Sequence, residues 1–88
     1  MTDTIRDAIT REYHAHKPET QQECCDLAAR VSALYGPIER DWLPGCAQAM
    51  AIGLFDVAFT AATPGQRAKW VAMCEASLRN AHGFEVAA

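Results

Sequence analysis

The stretch from Leu43 to Thr63 constrains this chain more than any other, because it is long, apolar and almost free of charge. Between Pro44 and Pro64 its only charged residue is Asp56. On a helical wheel its apolar side chains cover an arc of roughly 220°, wider than the stripe of an ordinary surface helix. A helix of this kind should contact neighbours on two sides. We therefore predict that residues 44–62 form the central helix of a bundle.

The remaining face of this central helix carries small or weakly polar residues: Gly45, Cys46, Ala49, Gly53, Asp56 and Thr60. Small side chains four apart let another backbone approach closely. This face is therefore either a packing groove inside the fold or a contact for a second chain.

A membrane span is the rival interpretation of the same stretch, because about 20 apolar residues is also the length that crosses a bilayer. Asp56 argues against it, since a carboxylate deep in a span costs about 2.5–3.5 kcal/mol. The many Ala and Gly residues supply little hydrophobicity to offset that cost. We expect no membrane association.

Length and composition favour one all-α domain spanning residues 1–88, with 85–88 as a loose tail. Half of the residues are hydrophobic, and β-branched residues are sparse, which favours helices over strands. The predicted fold is a compact bundle of four main helices near residues 3–16, 20–35, 44–62 and 64–82. A short helical turn is predicted at 37–43, and Pro44 fits the first turn of the central helix.

Local signals mark the ends of these helices. Thr20 and Glu23 have capping-box spacing, and Thr63 followed by Pro64 and Gln66 marks the start of the last helix. Thr2 or Thr4 can cap the first helix. Gly36 and Gly83 suit the left-handed position after a helix, and in a Schellman arrangement Phe84 folds back near Leu78 or Arg79.

The apolar spacing also predicts which side chains enter the core. The first helix has a thin stripe, Ile5, Ile9 and Tyr13, so we expect it to be mobile or to complete its burial on a partner. The other helices show fuller faces, and large residues expected in the core include Leu27, Val31, Leu34, Met50, Leu54, Val57, Trp70, Met73 and Leu78.

No metal or cofactor is expected from the cysteines and histidines. His14 and His16 point to opposite sides of a helix, and Cys24 and Cys25 diverge by about 100°. Cys46 and Cys74 fit the role of small core residues. His82 could approach a cysteine from the end of the last helix, but it also suits the helix dipole there.

The cysteines also bear on the compartment. The chain has four, which would indicate disulfides in a secreted protein. The segment MTDTIRDAIT has no basic region followed by an apolar run. We therefore expect no signal peptide, reduced thiols and a cytoplasmic location.

Asp56 is open to two interpretations. If it is buried, it needs a partner such as Arg40, Arg67 or Arg79, and it could act as a general base or hold a cationic group. Otherwise it marks the solvent-facing stripe of the central helix, which is the interpretation we favour.

The sequence contains no catalytic signature, so we expect a binding protein rather than an enzyme. The leading hypothesis is a small module acting through protein–protein contacts as an inhibitor, adaptor or assembly subunit, with self-association through the central or first helix. The partner-binding residues predicted for it are Ile5, Ile9, Tyr13, Trp42 and Asp56, chosen because they are aromatic, lie on the thin helix or carry the isolated charge. In size and style the chain resembles virus-encoded inhibitors of host systems, including anti-CRISPR proteins, although no residue motif carries that likeness.

Two alternatives remain. TQQECCDLAARVSALYG followed by IERDWLPG resembles a helix-turn-helix, with a Gly turn before a Trp-containing segment. That segment departs from a recognition helix, because it offers one Arg against two acids between prolines. The net charge of −3 also argues against nucleic acid. The other alternative is a helical ligand- or metal-binding bundle using Asp56, a histidine and a cysteine.

Overall fold

The computed structural model describes residues 4–16 and 18–84, and these contain helices and no strand. In chain order the elements are α1 (Ile5–Ala15), α2 (Gln21–Tyr35), a 3-10 turn (Arg40–Trp42), α3 (Leu43–Phe55), α4 (Val57–Ala61) and α5 (Pro64–Ala81). The predicted all-α class is confirmed. The predictions for residue 3, for a cap at Thr2 and for a tail at 85–88 lie outside the described residues.

Three helices begin at a threonine whose hydroxyl accepts a backbone N–H from three residues later. The N–H groups come from Asp7 to Thr4 at 3.1 Å, from Glu23 to Thr20 at 3.1 Å and from Gln66 to Thr63 at 3.2 Å. Each bond satisfies one of the free donors at a helix start. The Glu23 carboxylate in turn accepts the backbone N–H of Glu19 at 2.7 Å. The capping box of α2 therefore closes one residue earlier than its usual form.

The predicted glycine ends are also confirmed. Gly36 ends α2 with φ 88°, and Gly83 follows α5 with φ 76°. The N–H of Phe84 donates to the carbonyl of Arg79 at 2.8 Å, which is the long hydrogen bond of a Schellman motif. Both helix ends could be predicted from the sequence because they depend only on local backbone geometry.

α3 lies at the centre, with α1 against one side and α5 against the other, while α2 packs on α5 and α1. The small face of α3 receives α1. A Cβ atom built on Gly53 would overlap the carbonyl oxygen of His14, and the Thr10 hydroxyl lies 3.9 Å from the Cys46 sulfur. Of the two roles predicted for this face, the structure shows the packing groove inside the fold.

The central helix is shorter than predicted, because it breaks at Asp56. There φ is 48° and ψ is −118°, a backbone region that side-chain-bearing residues rarely adopt. The Asp56 N–H still closes α3 on the carbonyl of Ile52 at 2.8 Å, while its own carbonyl accepts from Phe59 at 3.0 Å. The prediction of one helix over 44–62 is therefore wrong. Within the described residues, no helix combines the length and apolar character needed to cross a membrane.

Burial differs from the predictions in two directions, because some side chains are more buried than expected and others are more exposed. Ile9 and Tyr13 are completely buried inside the chain, which we did not expect, whereas Ile5, the third residue of the thin stripe of α1, is 57% exposed. Three residues predicted for the core are instead exposed, namely Leu34 at 59%, Val57 at 74% and Met73 at 52%. The helical spacing identified an apolar face correctly, but the neighbouring helices cover only part of its width.

Candidate functional site

An apolar cleft of about 360 Å³ opens between the start of α2, the second half of α3 and the outer side of α5. We call it the α3–α5 cleft. Its apolar lining is formed by Cys24, Met50, Leu54, Met73 and Cys74, and its rim is polar. Met50 is 3% exposed whereas Met73 is 52% exposed. The cleft therefore has a buried base and an apolar mouth that reaches solvent.

The part of α3 that lines the cleft ends close to the break at Asp56. Leu54 belongs to the last turn of α3 and is only half-buried. α4 starts at Val57 after the unusual backbone of Asp56, and Val57 is exposed. Leu54 is therefore the last residue of α3 that lines the cleft.

A group of aromatic rings outside the cleft joins α5 to the end of α3 and to α4. The rings of Phe55 and Trp70 are stacked, with centroids 4.2 Å apart and planes 9° from parallel. Phe59 contacts the same indole, at a centroid distance of 6.2 Å. Such ring pairs contribute about 0.5–1.5 kcal/mol beyond the area they bury. They join α5 to α3 and α4, so Met73 is presented on a helix that is held in place.

The outer face of α5 is unusual for a surface helix because it carries little charge. Ala68, Ala72, Ala76 and Met73 are all exposed, and the charged residue exposed among them is Lys69. The exposed face of a helix in a globular protein is normally charged or polar. Alanines at intervals of four would let another helix approach this face closely.

The five residues predicted to bind a partner do not lie together on one surface. Ile5 is 57% exposed at the start of α1, whereas Ile9 and Tyr13 are completely buried. Trp42 is half-buried against the core and Asp56 is exposed. A partner could reach Ile9 or Tyr13 only if α1 left α3. That these residues bind a partner stays a prediction, and the geometry offers Ile5, Trp42 and Asp56 for direct contact.

Asp56 lies in solvent, as in the interpretation that we favoured. Two of the arginines considered as its partners are engaged elsewhere. Arg79 pairs with Glu75 at 2.9 Å, and the guanidinium of Arg40 lies 5.6 Å from the centre of the Phe84 ring. Asp56 therefore matters here mainly through its backbone.

Tyr13 and His82 form a polar contact within the core. The Tyr13 hydroxyl is hydrogen-bonded to Nε2 of His82, and the two rings meet edge to face. Burial raises the pKa of Tyr13, and burial lowers the pKa of His82. Both shifts favour a neutral pair, with tyrosine as donor and imidazole as acceptor. His82 lines a shallow cleft together with Cys25, but its Nε2 atom is already engaged by tyrosine.

The cysteines are free thiols, and three of them, Cys24, Cys46 and Cys74, are buried. Burial raises the pKa of each, to about 11 for Cys74. A reactive cysteine needs the opposite shift, because the thiolate is the nucleophile. Their protonation state thus suits packing. In the part of the chain that the structure describes, no three His, Cys, Asp or Glu residues are placed to hold a metal ion.

The exposed members of the α3–α5 cleft were missed because helical spacing assigns Leu54 and Met73 to a core face. A usable signal was present in the sequence. The apolar arc of the 43–63 stretch is wider than neighbours in an 88-residue chain readily cover.

Comparison with protein families, with curated proteins and with solved structures found no match to this chain.

Proposed function

We propose that this chain is a small protein-binding module and that its α3–α5 cleft receives an amphipathic helix of another protein. The observation that carries the proposal is the apolar mouth of the cleft, where Met73 is 52% exposed beside half-buried Leu54. Exposed apolar surface next to a concave site is typical of interaction sites. Methionine suits such a surface, because its flexible thioether side chain adapts to the partner.

Two features support a helix as the occupant. The exposed alanines of α5 leave room for a second backbone beside the cleft, and an apolar side chain from that helix can then enter between Leu54 and Met73. Recognition of this kind places one apolar face of a helix in a hydrophobic groove.

Charge near the cleft indicates the polar character of the partner. Glu19 lies on the rim, and Pro18 separates the cleft from a second, polar depression lined by Glu23, Asp26 and Arg30. Among the described residues that line the two depressions, the three exposed acids outnumber the one arginine. A partner helix with basic residues beyond its apolar face would therefore be complementary, and rim charges of this kind chiefly raise the association rate.

A module of this kind would act as an inhibitor, adaptor or assembly subunit by occupying a helix of its target, and a virus-encoded inhibitor of a host system is one form that it could take. All four cysteines are free thiols, which supports action in a reducing compartment such as the cytoplasm. For the helix-turn-helix alternative, the position of the recognition helix is occupied by the three-residue turn Arg40–Trp42. That turn runs directly into α3, whose sequence LPGCAQAMAIGLF offers no charged side chain to a phosphate or a base edge, so the geometry favours the protein-binding proposal.

The test combines affinity capture with site-specific crosslinking. Tagged wild type, Met73→Glu and Ala33→Glu are used to capture proteins from a nuclease-treated lysate of the source cells. Ala33 is an exposed alanine of α2 that does not line the cleft, so it controls for added charge. We expect one stoichiometric partner that Met73→Glu loses and Ala33→Glu retains.

A photoreactive residue at position 73 should then crosslink to an apolar helix face of that partner, whereas the same residue at position 33 should not. Retention of the partner by Met73→Glu, or crosslinks only from position 33, would reject the cleft as the binding site. Crosslinks from position 73 to a second copy of this chain would replace the proposed partner with self-association.

A further inference from the structure

The base of the α3–α5 cleft collects sulfur atoms from three different helices. Cys24 comes from α2, Met50 from α3 and Cys74 from α5. Each is almost completely buried, with exposed fractions of 2%, 3% and 2% respectively. The carboxylate of Glu19, a hard ligand, lies instead at the rim, where it is exposed to solvent. A cation at the base would therefore meet thiol and thioether groups.

The two cysteines also influence each other. Cys24 and Cys74 line the same cavity from two helices that pack directly on each other, and burial together with the nearby Cys24 raises the pKa of Cys74. Two thiolates side by side repel each other, so only a bound cation would stabilise both together. Met50 adds a neutral, flexible third ligand from α3, which also packs against α5.

We propose that the base of this cleft is a binding site for one soft monovalent cation of the Cu(I) class, ligated by the sulfur atoms of Cys24, Met50 and Cys74. Thiolate and thioether ligands select such ions, whereas carboxylate and water select hard ones. The described residues contain no group of three His, Cys, Asp or Glu side chains for a metal, and it is the methionine that completes this set. On binding, Cu⁺ replaces the protons of both thiols and accepts the neutral thioether of Met50, so that three Cu–S bonds form and two protons are released to solvent with no change of oxidation state.

The inference does not depend on the proposed partner, because the isolated chain would bind the ion. The mouth of the cleft, which would receive the partner helix, is formed by Leu54 and Met73, and the proposed ligands lie beneath it. Failure of one proposal therefore leaves the other standing, and they are tested with different substitutions.

The experiment is an anaerobic titration of the reduced full chain with Cu(I) in competition with a chromophoric Cu(I) chelator, followed by X-ray absorption on the loaded protein. We expect one ion per chain and a first shell of three sulfur atoms. Cys24→Ser and Cys74→Ser should each weaken binding by at least about tenfold. Cys25→Ser and Cys46→Ser are the matched controls, because neither residue lines this cleft, and they should bind as the wild type does.

Met50→Leu keeps the volume of the side chain, so any weakening of Cu(I) binding in this variant would not result from loss of the fold. It should fold normally by circular dichroism, weaken binding and reduce the shell to two sulfur atoms. An affinity that neither cysteine substitution changes would overturn the proposal. So would a first shell dominated by nitrogen or oxygen, or an unaltered three-sulfur shell in Met50→Leu.

Discussion

The two sides of α3 are packed in opposite ways. Towards α1 the helix presents small residues, and Gly53 brings the two backbones together at His14. Towards α2 and α5 it presents Met50 and Leu54, and there a cleft of about 360 Å³ remains. A side that is closed to the limit of backbone contact contributes stability, whereas a side left partly open is available for binding. The size of the side chains on α3 therefore distinguishes its closed side from its partly open side.

A single added methyl group should disrupt the packing of the closed side of α3 against α1. We expect Gly53→Ala to lower the free energy of unfolding by about 3 kcal/mol, because the new methyl group would overlap the backbone carbonyl of His14, which cannot rotate away. Urea denaturation followed by circular dichroism measures the change.

The matched control is Gly45→Ala on the same helix, where the new Cβ would lie at an ordinary contact distance of 3.6 Å from Nη2 of Arg6. There the higher helix propensity of alanine should leave stability unchanged or raise it by up to about 1 kcal/mol. Equal effects at positions 45 and 53 would show that α1 and α3 are not in close contact.

The Tyr13–His82 hydrogen bond joins α1 to the end of α5, and we expect it to make the closed side sensitive to acid. Because burial lowers the pKa of His82 below its ordinary value of 6.5, the unfolded chain takes up a proton first as the pH falls. The free energy of unfolding should therefore decrease as the pH falls below about 6.5, and this group should have no effect above that range.

His82→Gln isolates this contribution, because glutamine can accept the tyrosine hydroxyl without titrating. The difference in stability between wild type and His82→Gln should change between pH 7 and pH 5, in favour of the variant at the lower pH. Tyr13→Phe should cost about 1–2 kcal/mol at neutral pH, since Nε2 of His82 would lose its donor. A pH-independent difference between wild type and His82→Gln would contradict the assignment.

Asp56 marks the boundary between α3 and the region beyond the cleft, and its backbone should be strained. With φ at 48°, glycine is expected to fit better than aspartate, so Asp56→Gly should stabilise the fold by about 1 kcal/mol. The control is Ala58→Gly, two residues later in the helical conformation of α4, which should instead destabilise by about 1 kcal/mol. Thermal unfolding of both variants compares them, and destabilisation by both would mean that α3 continues through Asp56.

What the sequence could predict follows from the range of the interactions involved. The threonine caps at Thr20 and Thr63 and the glycine at Gly36 were predicted correctly, because a few neighbouring atoms decide each one. The small face of α3 was recognised, but its partner, α1, depends on long-range packing. The break at Asp56 could not be predicted, because the Leu43–Thr63 stretch has unbroken helical periodicity, and the contact of Phe59 with Trp70 beyond the break depends on long-range packing. The cleft was missed for the same reason, since periodicity tells which face is apolar and not how much of it a neighbour covers.

The smallest effect is expected on the open side, where sequence and structure disagree most directly. If Met73 were a core residue, as its spacing in α5 predicts, Met73→Glu would bury a charge and cost several kcal/mol. With half of the side chain in solvent, we expect a change of less than about 0.5 kcal/mol. Leu34→Glu serves as the matched control, because Leu34 is also exposed and lies outside the cleft. Similar small changes for both variants in urea denaturation would establish that Met73 adds little to stability, so that any loss of partner binding in Met73→Glu reflects the contact itself.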